Sequence, residues 1–476
     1  MKKIFLICAI IFFASCARDE NFFDENFFGE KFFSEDFSAE KIRVLVGTCN
    51  FEGIFHENVV ISSTGNFFVN NEKFRGDEFF HVSTERIKHI GDTFFVRTEK
   101  PDEKLIIVGL RRAHENPKYH GTLEILRTEN GFTIVNELPL EKYLYAVVSS
   151  EMPSTYGLEA SKVQAIAART FAHQQKIENN FRAHGAHVDD SVISQVYNNF
   201  AENEISVEAV NATRGQILTH NGQLIRANFF STSGGTTANA GEVWAVGKNF
   251  PSETPAFLRA RAQIFDAIHP GNLRTEEAAA DFFSKRDINA IEKNFPWFRW
   301  EISMTVEEIS ERVNSVLAER QAANPAMIHS LDDFGNATDE KIATIGKFTD
   351  LKITRRGQGG NIMEAIFFGT HANIRVQTEY NIRALLAPRD ISVARIDGSF
   401  AKMDSLLPSA FFSFEKNFSN EKNFSNDLQS IKFFGGGYGH GVGMSQNGVL
   451  ALLEAGLTYL EILRHYYPNV EINFVL

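Results

Sequence analysis

Cysteine is almost missing from these 476 residues: there are three, at Cys8, Cys16 and Cys49. Two of them fall in the first sixteen positions, which leaves Cys49 alone in the body of the chain. One thiol excludes an internal disulfide framework and a multi-cysteine zinc site. Cys49 follows the apolar run IRVLVGT and reads as a small, buried structural residue. Basic residues are also scarce, 48 Lys and Arg against 60 Asp and Glu, for a net charge of −12. That balance argues against a nucleic-acid binder, which would show a basic face.

The leading apolar run, in MKKIFLICAIIFFASC, is too short for a spanning helix. Two lysines, an apolar core and small residues before Cys16 read as a secretory signal over residues 1–16. FASC resembles the bacterial lipobox, with Phe13 where leucine is commoner. Cys16 is then the expected lipidation site, and it would anchor a soluble body to the membrane on its outer side. A plain cleaved signal peptide is the alternative.

Several catalytic motifs are absent. There is no H-E-x-x-H and no G-x-S-x-G. S-x-x-K occurs as SAEK (38–41), SFAK (399–402) and SNEK (419–422), without its penicillin-binding companions. His184 and His187 precede Asp189 and Asp190, either as half a metal site or as a polar loop, and no cysteine accompanies them.

Phenylalanine is abundant at 45 residues, often in doublets such as Phe22-Phe23 and Phe67-Phe68. Composition bias explains this, or else a sticky, wall- or membrane-proximal surface. Hydrophobic residues at 43% and charged residues at 23% are ordinary for a globular protein of two or three domains.

The expected fold is α+β. Residues 17–40 form an acidic, Phe-rich tether. Residues 41–137 carry short strand-like runs and make a β-rich domain, with a hairpin turning at Glu129-Asn130-Gly131. A helix-plus-sheet core begins at 138. Its first part runs to 255, an inserted α+β subdomain follows over 256–430, and the core closes with 431–476. LPLEKYLYAVVSSEMPS reads as a helix stopped by Pro153. GLEASKVQAIAARTFAHQQKIEN reads as a second helix that buries Val163, Ile166, Ala167, Thr170 and Phe171. Lys162, Arg169 and His173 share a stripe beside that face, lining a groove or simply edging a solvated helix. A second hairpin is expected at His220-Asn221-Gly222. The tandem EKNFSNEKNFSND, 415–427, reads as a disordered insertion. SQNGVLALLEAGLTYLEILRHYYP reads as a closing helix.

Glu151 stands in VVSSEMP, after an apolar run. Burial there would favour its protonated form and suit it to acid–base work; a solvated helix-end glutamate is the alternative. YGHGVGMSQNG, 438–448, sets a few polar side chains among four glycines, as where backbone wraps a site.

Three segments together resemble the SpoIID/LytB family: LPLEKYLYAVVSSEMPSTYGLEASKVQAIAARTFA (138–172), ANFFSTSGGTTANAGEVW (227–244) and GGGYGHGVGMSQNGVLALLEAG (435–456). The resemblance implies a bacterial cell-wall protein acting on peptidoglycan glycan strands. Active members are lytic transglycosylases that cleave between N-acetylmuramic acid and N-acetylglucosamine and leave 1,6-anhydro ends. LytB-type relatives enhance an amidase. The resemblance makes Glu151 the catalytic acid–base, and one carboxylate suffices because the muramic 6-hydroxyl, not water, attacks.

It also assigns Lys162, Gln164 and Arg169 to substrate binding, with the two cations on the lactyl carboxylate of peptide-stripped glycan. The glycine loop would contact sugar through His440, Ser445 and Gln446, and Ser231 and Ser233 of STSGG would form an opposing wall. Some sporulation members carry zinc on histidines and cysteines before a Q-V-Y segment. Here Ser191 and Ser194 stand about where the cysteines would be, so no metal and no cofactor are expected. The competing expectations are a non-catalytic glycan-binding partner of an N-acetylmuramoyl-L-alanine amidase, and a structural lipoprotein bridging membrane and wall.

Overall fold

The computed structural model describes residues 40–475, apart from 84–85, 88, 266–271, 339 and 420–426. The expected signal peptide, Cys16 and nearly all of the tether lie outside the described residues. The chain divides into two compact units, residues 1–218 with 472–476 and residues 219–471. No described helix is long and apolar enough to cross a membrane. Helices and strands mix throughout, and the architecture is α+β.

The first unit is built on a seven-stranded sheet, in the order 188–189, 41–46, 131–139, 122–128, 93–98, 67–69, 72–74. Its hairpin turns within Glu129-Asn130-Gly131, as expected: Thr128 pairs with Gly131, and Gly131 adopts φ +127°. Strand Thr122–Thr128 alternates buried and part-exposed residues, the mark of a sheet with one face covered. The cover is helical. Tyr143, Leu144 and Val147 of helix α1 (Leu140–Glu151) share a core with Ile42, Val44, Leu123, Ile125 and Ile134 of the sheet. Helix α2 (Gly157–Glu178) adds Ala165, Ala168 and Ala172 to that core. Small side chains let α2 lie close to α1 and α3 (Glu204–Ala212).

Helix α1 ends where expected. Pro153 disfavours helical backbone at Met152, which is extended (φ −124°, ψ 123°) and 1% exposed. Helix α2 differs from expectation in one respect. Its apolar face is buried as read, but Arg169 (0% exposed) and His173 (8%) are buried too. A helix covered on most sides has no solvated stripe to line a groove. Cys49 is half-buried, with its Sγ 3.6 Å from the Gly109 carbonyl oxygen.

Two five-stranded sheets dominate the second unit. One runs 400–402, 392–395, 300–305, 428–435, 412–418; the other runs 337–338, 328–331, 373–377, 362–369, 348–356. Helix Val306–Ala323, started by a Thr305/Glu308 capping box, packs its Ile309, Val313 and Leu317 into their shared core. Residues on both sides of the boundary expected at 430 share one strand, Leu428–Gly435, paired with Trp300–Thr305 and Phe412–Phe418. Glu415–Phe418 of the tandem repeat close that last strand instead of looping free, because each finds a ladder partner. The closing segment is two helices, Gln446–Glu454 and Tyr459–Tyr466, broken at Gly456 with φ +93°. The second hairpin forms as read, with His220 paired to Gln223.

Candidate functional site

Each residue of Ser149-Ser150-Glu151 holds a different piece of chain. The Ser149 hydroxyl lies 2.5 Å from that of Ser206 and accepts from the Asn203 amide at the start of α3. Ser150 Oγ accepts the N–H groups of Asn199 (3.0 Å) and Phe200 (3.2 Å). Glu151 Oε1 accepts the Val196 N–H at 2.7 Å, and the side chain is half-buried. The end of α1 is thus bound to residues 196–206, and the glutamate meets the Gln195-Val196-Tyr197 stretch.

That stretch is itself anchored. Tyr143 donates to Gln195 Oε1 (3.3 Å), and Gln195 Nε2 donates to the Ala168 carbonyl (3.4 Å). Tyr197 donates to Asn136 Oδ1 at 2.8 Å, and Asn136 bonds the carbonyls of His120 and Thr122. Burial pushes the Tyr143 and Tyr197 hydroxyls well above their usual range, so both remain donors. These anchors were not read from the sequence, although Q-V-Y was noted as a marker.

Arg169 does not reach a surface. Its Nε and Nη2 bond Glu141 Oε1 and Oε2 at 2.7 and 2.8 Å, and its remaining N–H groups face the carbonyls of Ala165, Gln216 and Val210. All five donors have acceptors, so it acts as a clamp between α2, α1 and α3 instead of the expected carboxylate ligand. Gln164 is also fully buried, and neither atom of its amide has a hydrogen-bond partner among the described residues. Lys162 is partly covered, with Nζ 2.6 Å from Glu159 Oε1.

The stretch 184–199 does not fit a thiolate zinc site. His187 Nδ1 accepts the Arg43 N–H at 3.1 Å, Ser194 Oγ accepts the Asp189 N–H at 3.1 Å, and Ser191 Oγ donates to Asp189 Oδ2. What holds the loop instead is Asp190. Its Oδ2 lies 2.5 Å from Arg112 Nη2, and its Oδ1 accepts the Gly47 N–H at 3.0 Å. Both side chains are essentially excluded from solvent. Burial pushes the Asp190 carboxyl up to about 6, even with the Arg112 charge beside it.

In the second unit the two remaining motifs are joined, not opposed across a gap. Phe229-Phe230 pairs in parallel with Met444-Ser445, and Thr232 bridges Tyr438. Close backbone approach explains the glycines. Gly443 has φ +77°, and a Cβ there would fall 2.1 Å from the Asn228 carbonyl oxygen.

Ser233 and Ser445 converge on a residue the sequence reading missed, Glu292. Its Oε2 accepts from the Ser233 N–H (2.6 Å) and from Ser445 Oγ (2.8 Å), and its Oε1 accepts from Ser233 Oγ (2.7 Å). Glu292 is fully buried, and burial pushes it up to about 7 against the pull of those serine bonds. With both serines also buried, they tie the motifs together instead of facing a sugar. Ser231 is half-buried, and Gln446 is buried at the start of its helix. His440 is half-buried beside Trp244, ring centroids 5.0 Å apart. Its Nδ1 accepts the Val442 N–H at 3.0 Å. Burial and the charge of Arg383 push it down to about 4, so it is neutral at physiological pH.

Glu151 thus stands half-buried at a helix end, its carboxylate held by a backbone N–H. Residues 128–220, which include Glu151 and Val196, match the family model SpoIID, stage II sporulation protein. The chain is 27% identical over 366 residues to stage II sporulation protein D of Bacillus amyloliquefaciens, covering 74% of this chain and 78% of that one. It is 41% identical over 137 residues to stage II sporulation protein D of Bacillus subtilis, 26% of this chain and 39% of that one. It is 26% identical over 331 residues to the amidase enhancer of Bacillus subtilis, covering 69% of this chain but 40% of the relative.

Proposed function

We propose that this chain is an exported, lipid-anchored lytic transglycosylase that cuts peptidoglycan glycan strands between N-acetylmuramic acid and N-acetylglucosamine. The observation that carries the reading is the grip of the Val196 N–H on Glu151 inside the segment that matches the family. Glu151 stands at the C-terminal end of α1, where the helix dipole disfavours negative charge while the Val196 N–H favours it. A general acid has to enter the reaction protonated.

The Glu151 carboxyl gives its proton to the bridging oxygen as the glycosidic C–O bond breaks. The carboxylate then takes the proton of the muramic 6-hydroxyl as that oxygen closes on the anomeric carbon. The products are a free 4-hydroxyl and a 1,6-anhydro end, and the glutamic acid is restored without water. Lys162 is the cation we assign to the lactyl carboxylate of stripped glycan, since Arg169 is committed to Glu141. His440 beside Trp244 offers a neutral polar handle next to an aromatic face, a combination that suits a sugar ring.

The test is digestion of amidase-stripped peptidoglycan by residues 17–476, wild type beside Glu151→Gln, with products read by mass spectrometry. Anhydro-muramic ends from the wild type alone support the reading. If neither protein releases them and both bind glycan, the enzyme reading falls. A second reading, stimulation of a cell-wall amidase, is favoured by the similarity to the amidase enhancer and is tested by adding the protein to a purified amidase.

A further inference from the structure

The Arg112–Asp190 ion pair is the most buried charge pair of the first unit, with side-chain exposures of 0% and 2%. Its partners do not belong to the proposed reaction. Arg112 Nη1 and Nη2 also bond the carbonyls of Thr48 (2.7 Å) and Gly47 (2.9 Å), and the Phe51 ring lies 4.0 Å from the guanidinium carbon. Asp190 is therefore locked to the end of strand Lys41–Val46 through Gly47 and to the 110–116 loop through Arg112.

Its backbone carries the lock onward. The Asp190 N–H donates to the Leu45 carbonyl (3.1 Å), and the Asp190 carbonyl accepts the Tyr197 N–H (3.1 Å). The six-residue excursion between Asp190 and Tyr197 is thereby closed, and its last residue is Val196, whose N–H meets Glu151. A buried pair of this kind is weak evidence for stability, because desolvation offsets much of the attraction. A role in fixing one geometry is the better account of why it is there.

We propose that Arg112 and Asp190 are positioning residues that set the Val196 N–H on the Glu151 carboxylate, so that the β-rich part of the first unit holds the working group of α1 in place. The proposal rests on Glu151 being the catalytic group, but its first readout does not depend on turnover. In the double variant Arg112→Met, Asp190→Asn, amide exchange at Val196 is expected to speed up about tenfold or more while amides within α1 and α2 keep their protection. With stripped glycan, kcat is expected to fall on the order of 10- to 100-fold with KM within about twofold, the signature of a misplaced group.

Unchanged exchange at Val196, or equal loss of protection in α1 and α2, overturns the proposal and leaves the pair a structural one. If the wild type shows no turnover, the enzyme reading fails while the exchange result still decides the tie. Should the double variant not fold, Asp190→Asn alone keeps an oxygen for the Gly47 N–H and is read in the same two ways.

Discussion

Arg169 and Glu141 form a two-bond ion pair, Nε to Oε1 at 2.7 Å and Nη2 to Oε2 at 2.8 Å, with the arginine side chain wholly buried. Arg169→Ala leaves Glu141 without its cation and takes one donor from each of three carbonyls. The expected loss is about 3–5 kcal/mol of unfolding free energy. Lys162→Ala removes a partly covered i,i+3 pair with Glu159, a kind of pair that contributes less than about 1 kcal/mol. If Lys162 meets the lactyl carboxylate, its loss raises KM for stripped glycan. Denaturant titration and steady-state kinetics on the two variants separate scaffold from ligand.

Glu151→Gln keeps an oxygen for the Val196 N–H, so its denaturation midpoint should match wild type closely. Its release of anhydro ends should drop by about 10²–10⁴, the range of a lost general acid–base. A variant equally inactive but much less stable would show that Glu151 is needed for folding.

Glu292 makes stability depend on pH in a direction opposite to that of most carboxylates. Its folded value is about 7, above the ordinary 4.5. A raised folded value means the contribution is fully present below about pH 4.5 and is lost as pH rises through 7. At about 1.4 kcal/mol per unit, the loss is roughly 3 kcal/mol. Glu292→Gln can offer an oxygen to Ser445 and the Ser233 N–H and an amide N–H to Ser233 Oγ. The variant should lack this decline, and its advantage over wild type should grow between pH 4.5 and 7. Thermal melts across that window measure it; parallel curves would remove Glu292 as the titrating group.

Gly448 has no room for a methyl group. A Cβ there would lie 1.9 Å from the Tyr466 hydroxyl oxygen and 2.8 Å from Glu292 Oε1. Gly448→Ala is expected to cost about 1–3 kcal/mol or more through overpacking. The Tyr466 hydroxyl is buried without a hydrogen-bond partner among the described residues, so Tyr466→Phe should be close to neutral. Combined with Gly448→Ala, it should recover part of the loss. Strict additivity of the two changes in a double-mutant cycle would refute the clash.

Local pattern carried much of this fold. The Glu129-Asn130-Gly131 and His220-Asn221-Gly222 turns, the stop before Pro153 and the 157–178 helix are set by backbone preferences within a few residues, and all are where the residues said. Arg169 and His173 of the stripe were misread because periodicity reports which residues share a face, not how many faces are covered. Ser233 and Ser445 were misread for a similar reason. A motif of small polar residues looks the same whether it meets a ligand or a buried carboxylate 59 and 153 residues away, as these do at Glu292.

Sequence alone determined the elements and the candidate carboxylate: Glu151 is at the end of its helix because apolar spacing builds α1 and proline ends it. Only the tertiary structure decided what each polar residue is bound to. Arg169 finds Glu141, Asp190 finds Arg112 and Glu292 finds two serines, because a charge taken out of water must be met by whatever partner the packed chain brings to it. That partner lies far along the chain, where no spacing rule reaches.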